Sequence, residues 1–126
     1  MPMLDAIGIV SSDLAKSIAF YRLLGLDFPD TTEDHVEAKT PGGLRVMLDN
    51  VELTKQLNPD RVQPTGHAIG LAFLCSSPAD VDETYDRVTA AGHQGKTAPW
   101  DAFWGQRYAT VLDPDGNQVD LFAPLG

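Results

Sequence analysis

The sequence predicts an α+β fold of two tandem modules, each a strand, a helix and three further strands (βαβββ). Three observations point to it. The order apolar strand, polar helix start, amphipathic helix and terminal glycine occurs twice, over about 25 residues each time. Ala6-Ile7-Gly8-Ile9 in the first copy is echoed by Ala68-Ile69-Gly70-Leu71 in the second. Behind each helix, strand-like pieces are joined by turn-forming runs, Thr40-Pro41-Gly42-Gly43 and Asp113-Pro114-Asp115-Gly116-Asn117.

In the first module, Ala6 to Val10 reads as a short apolar strand and Ser11-Ser12-Asp13 as a helix start. Leu14, Ile18, Tyr21 and Leu24 then recur at three- and four-residue spacing, and Gly25 closes the helix. A faint strand is expected near Phe28 to Thr32, followed by Val36 to Lys39 and Leu44 to Leu48. Val51 to Thr65, polar and holding Pro59 and Pro64, reads as a linker. The single domain of residues 1–126 thus divides into a module of about 1–50, a linker of 51–65 and a module of 66–126.

The second module opens with a strand from Ala68 to Leu74, and Ser76-Ser77-Pro78-Ala79-Asp80 leads into a helix striped by Val81, Tyr85 and Val88. Ala90-Ala91-Gly92 ends it. A faint strand near Gly95 to Ala98 and a loop from Pro99 to Gly105 are followed by strands Gln106 to Leu112 and Val119 to Phe122. The Asp113 to Asn117 run between these last strands is a hairpin turn: Pro presets one dihedral, and Gly and Asn tolerate the left-handed region.

Composition narrows the function. With 43% hydrophobic and 21% charged residues the chain is an ordinary globular protein, large enough for a real core. No apolar run approaches the roughly 18 residues that span a bilayer, and the N-terminus lacks the blocks of a signal peptide, so a cytoplasmic location is expected. A net charge of −9 disfavours nucleic acid and anionic membranes as partners. The one cysteine, Cys75, excludes an internal disulfide; in its apolar strand it reads as a buried structural thiol. No Gly-x-Ser-x-Gly elbow and no phosphate-binding glycine loop is present.

Ser12-Asp13-Leu14 with Ser17-Ile18-Ala19-Phe20-Tyr21-Arg22, and the Asp113 to Asn117 hairpin before a C-terminal strand, resemble the glyoxalase/bleomycin-resistance/dioxygenase (vicinal oxygen chelate) superfamily. Trp104-Gly105-Gln106-Arg107 resembles a run of its bleomycin-resistance-like branch. The resemblance implies two curled mixed sheets around a shared cleft, commonly completed in a homodimer. It also implies where a divalent metal would be held, because family enzymes take ligands from the first and last strands of each module. Those places read Ala6 in the first module, Gly70 or Ala68 in the second, and Asp120 where the family has Glu. One carboxylate alone does not make a metal site. His67 faces away from the surface shared by Ala68 and Gly70, and neither His35 nor His93 has a partner at ligand spacing. No metal and no other cofactor is expected.

Ligand-binding chemistry remains. Trp100, Phe103 and Trp104 put three large aromatics into five positions, and exposed rings of that size need a cover: the protein itself, a dimer partner or a planar ligand. Strand alternation turns Leu44, Val46 and Leu48 toward the helices and Arg45 and Met47 toward the opposite face. Tyr108 and Thr110 share Asp120's face if the last hairpin pairs as the family's does. The candidate ligand residues are therefore Arg45, Met47, Trp100, Phe103, Trp104, Tyr108, Thr110 and Asp120. Asp5, Glu37 and Asp120 could pair as carboxylates in a cleft, but among 18 acids a chance pairing is unsurprising and carries no mechanism.

Three functions stay open at this point. The first is metal-independent sequestration of a small aromatic antibiotic or natural product, a form of drug resistance, by a homodimer. The second is a glyoxalase-like lyase, an isomerase or a ring-cleaving dioxygenase, using a metal at unusual positions or metal-free acid–base chemistry by Asp120 and Tyr108. The third is an accessory domain whose aromatic loop docks another protein.

Overall fold

The structure is a computed structural model that describes residues 1–66 and 69–126. The chain forms two compact units, Met1–Thr65 and Gly66–Gly126.

The first unit runs β1 (Ala6–Ser11), α1 (Leu14–Leu23), β2 (His35–Lys39), β3 (Arg45–Asn50) and α2 (Val51–Leu57). Its sheet has the order β1-β3-β2, with β1 parallel and β2 antiparallel to β3. Asp13 caps α1 by accepting from the Lys16 amide at 3.2 Å, which satisfies one of the free amides of the first turn and is worth about 1 kcal/mol. Ile18, Phe20 and Tyr21 of α1 are buried, as are Val46 and Leu48 of the adjoining β3. Tyr21 packs edge-on to Phe20 and Phe28, with ring centroids 4.9 Å and 6.5 Å away.

Two expectations for this unit are corrected. Residues 28–32 form no strand, because the Phe28 carbonyl is taken by the Arg22 guanidinium at 2.9 and 2.6 Å and Pro29 has no amide for a ladder. Phe28 serves instead as a buried plug. The start of the predicted linker is a helix, α2, capped by Asn50, whose side chain accepts from the Glu52 amide at 2.9 Å.

The second unit runs β4 (Leu71–Leu74), α3 (Pro78–Ala90), β5 (Gly95–Ala102), β6 (Gln106–Leu112) and β7 (Gln118–Pro124). Its sheet has the order β4-β7-β6-β5, with β4 parallel to β7 and the remaining pairs antiparallel. Ser77 caps α3 through the Asp80 amide at 3.1 Å, and Pro78 occupies the first turn, where its missing amide costs nothing. One sheet face packs on α3: Ala109, Val111, Val119, Leu121 and Ala123 are buried with Val81, Thr84 and Val88. Arg107 fixes this packing with a two-pronged bond to Asp82, at 2.9 and 3.1 Å.

The hairpin between β6 and β7 is held by Asp113, which is buried. Its carboxylate accepts from the amides of Asp115 and Asn117 and from the Asn117 side chain at 2.8–2.9 Å, and Gly116 takes φ 85°.

Three expectations change here. Pro99 to Ala102 lie in β5 rather than a loop: β5 is an edge strand whose register shifts before Trp100, and a proline is tolerated there. The β4 strand begins at Leu71, later than expected; the predicted positions His67 and Ala68 lie outside the described residues. Cys75 is half-buried rather than fully buried, and burial, aided by Asp80, pushes its thiol above the ordinary range.

Candidate functional site

With α3 covering one face of the second sheet, alternation sends Tyr108, Thr110, Asp120 and Phe122 to the other. Register adds two neighbours: Ala72 stands opposite Asp120, and Trp100 opposite Tyr108. Asp120 is the polar centre of this face. Thr110, its cross-strand partner, donates its hydroxyl to Oδ1 at 2.8 Å, and Tyr108 reaches diagonally to donate to Oδ2 at 2.7 Å. The Tyr108 phenol is pushed up to about 12, first by burial and then by the bond to Asp120, so it stays protonated at neutral pH.

Aromatic rings extend from this centre. Tyr108 stacks beside Phe122 at 6.4 Å and meets Trp104 edge-on at 5.2 Å. Trp104 stands perpendicular to Trp100 at 5.5 Å and to Phe103 at 4.9 Å. The turn between β5 and β6 makes this possible: Gly105 takes φ 92° and donates its amide to the Ala102 carbonyl, so Phe103 and Trp104 project from the hairpin end. The Trp104 indole nitrogen donates to the Gln106 side chain at 2.7 Å, which fixes the ring's orientation. Trp100 is 38% exposed, Trp104 48% and Phe103 91%. The structure thus gathers Trp100, Trp104, Tyr108, Thr110 and Asp120, and leaves Phe103 as the outermost ring. Sequence reasoning passed over Phe122, although it shares the parity of Asp120.

Arg45 and Met47 lie on the first unit's sheet, on the face away from Val46 and Leu48. Arg45 is already engaged, by Asp5 at 2.7 Å and Glu37 at 2.6 Å. Asp5 and Glu37 share that guanidinium. Met47 fills the space beside Gly8, its Cε 3.6 Å from where a Cβ on Gly8 would stand. Beyond them His35 is bracketed by Asp49 on Nδ1 at 2.5 Å and Glu37 on Nε2 at 2.7 Å. Those two hydrogen bonds, Asp49's first, raise the imidazole above its ordinary range. This network joins residues on two strands and depends on register, so it cannot be read from residue spacing.

The places where the resemblance implies metal ligands do not fit a divalent ion. Ala6 pairs with Arg45, Ala72 stands opposite Asp120, and Gly70 offers no side-chain donor. Asp120 is a lone carboxylate with a hydroxyl on each oxygen. Among the described residues no group of three or more His, Cys, Asp or Glu side chains is placed to hold a metal ion, and no helix is long and apolar enough to cross a membrane.

Comparison with known proteins agrees with the architecture. The chain is 29% identical over 124 aligned residues to an uncharacterized protein of Mycobacterium bovis, covering 93% of this chain and 80% of the relative. A glyoxalase/bleomycin resistance protein/dioxygenase from Nocardioides superposes with a TM-score of 0.77 at 26% identity, over 99% of this chain and 85% of its own. A family enzyme from Burkholderia phytofirmans PsJN shares the fold at a TM-score of 0.85 and 21% identity, over 97% and 98% of the two chains. Residues 3–121 match the superfamily itself. With its parallel first and last strands in each sheet and its hairpin at Asp113, this chain belongs to the glyoxalase/bleomycin resistance protein/dioxygenase superfamily.

Proposed function

We propose that the protein binds a small planar aromatic molecule without a metal ion, in the manner of a sequestering, drug-resistance member of its superfamily. The observation that carries this reading is the run of perpendicular rings, Trp100, Trp104 and Tyr108, left partly exposed beside the Asp120 carboxylate. Large exposed rings fixed in place by a turn and an indole hydrogen bond form a stacking surface, and a stacked aromatic adds about 0.5–1.5 kcal/mol per pair beyond its buried area. A few polar groups among aromatic walls are the usual make-up of a small-molecule site. Protection by such a protein works by mass action, so it depends on affinity and copy number rather than turnover. A homodimer completing the site, and a cytoplasmic location, belong to the same proposal.

The metal-free enzyme reading is weaker. A phenol held protonated up to about 12 is a poor general base at neutral pH. Titrating the chelator-treated protein with a panel of planar aromatic antibiotics, followed by tryptophan emission, tests the proposal. Saturable quenching that Trp100→Ala abolishes supports it; no response across the panel, with turnover of a small substrate on added metal, overturns it.

A further inference from the structure

We propose that the aromatic face of the second sheet selects an organic cation, a planar aromatic bearing a positive nitrogen, over neutral or anionic ring systems. This rests on reading that face as a ligand site and adds the ligand's charge.

The distribution of charge leads there. Asp82 stands beside Arg107 and Asp49 beside His35, while the buried Asp113 is held by the backbone amides and side chain of its own turn. Asp120 is the acid that stands among the exposed rings. The hydroxyls of Tyr108 and Thr110 orient its carboxylate without neutralising it, and among the described residues no Lys, Arg or His makes an ion pair with it. The four strands of this sheet carry two basic residues, and both are committed elsewhere. Arg107 is held by Asp82 and Asp101, and Lys96 donates to the Gln118 side chain at 2.9 Å. A carboxylate accepts at about four lone-pair sites, so each Asp120 oxygen keeps room for another donor.

The rings favour the same ligand. Trp100 and Trp104 are perpendicular at 89°, and Trp104 and Tyr108 at 79°, so the cluster presents π faces in more than one direction. A cation is attracted to those faces and to the carboxylate together, whereas an anion is repelled by both. A neutral ring gains the stacking alone.

Isothermal titration calorimetry of the chelator-treated protein with N-methylquinolinium and with its neutral isostere 1-methylnaphthalene separates the two cases. The cation is expected to bind at least about tenfold tighter. That preference should shrink as salt is raised and fall to within about twofold in Asp120→Asn. Equal binding of the two, or tighter binding of the neutral compound, overturns cation selection while leaving an aromatic site in place. Binding of neither overturns the aromatic site as well. A preference that survives both salt and Asp120→Asn removes the carboxylate from the explanation. Because the salt dependence is read on the unaltered protein, charge selection stays testable even if the variant folds poorly.

Discussion

Tyr108 and Asp120 are joined across β6 and β7 by a phenol-to-carboxylate hydrogen bond of 2.7 Å, while Thr110 holds the other carboxylate oxygen at 2.8 Å. Hydrogen bonds to a charged acceptor contribute about 1.5–3 kcal/mol, less where water competes. Tyr108→Phe should therefore destabilise the protein by about 1–2 kcal/mol in urea unfolding. In a double-mutant cycle the loss should largely disappear when Asp120 is already Ala, which offers the phenol no acceptor. Additive losses would mean that the pair is not coupled.

The same bond predicts an alkaline transition. Burial and Asp120 raise the folded phenol to about 12, above the unfolded value of about 10. The stability Tyr108 contributes is fully present below about pH 10 and is lost as pH rises through about 12. The ultraviolet phenolate absorbance of the wild type minus that of Tyr108→Phe should titrate near the upper value. A midpoint near 10 would place the phenol in open solvent.

His35 predicts a second pH dependence, on the acid side. A neutral imidazole donates once, so only the imidazolium satisfies both Asp49 and Glu37. Its folded value is raised, Asp49's hydrogen bond first and Glu37's second, so its contribution is complete below the ordinary value of about 6.5 and is lost as pH rises through the raised one. The groups are part-exposed, which limits the effect to below about 1 kcal/mol. His35→Gln should be less stable than wild type at about pH 5.5 and equal to it by about pH 9. A deficit independent of pH would show that packing, not charge, is lost.

Gly95 predicts a steric outcome. A Cβ there would lie 2.1 Å from the Tyr85 Oη and 2.7 Å from its Cζ. Gly95→Ala should cost about 1–3 kcal/mol in urea unfolding, and less when combined with Tyr85→Ala than the sum of the two changes. Simple additivity would show that the ring swings clear.

Local chemistry made much of the fold legible. Asp13 and Ser77 cap the helices they precede, and the Asp113 to Asn117 run turns the chain as proline, glycine and Asx chemistry require. Alternation put Tyr108, Thr110 and Asp120 on one face, because a strand pinned by a buried hydrophobic set has no freedom to slip. What stayed hidden depends on contacts distant in sequence. Arg22 claims the Phe28 carbonyl, a bulged edge lets Pro99 into β5, and register alone sets Asp49 beside His35. In the first unit, the hold of Asp5 and Glu37 on Arg45 was invisible for the same reason.

The most direct test of an aromatic, metal-independent site is the pair of indole N–H resonances from Trp100 and Trp104, observed in excess chelator while N-methylquinolinium is added. Both signals should shift along one saturable curve, with the Trp104 resonance reporting disturbance of its bond to Gln106. Signals that stay fixed until a divalent metal is supplied would contradict the proposal and return the protein to its superfamily's metal chemistry.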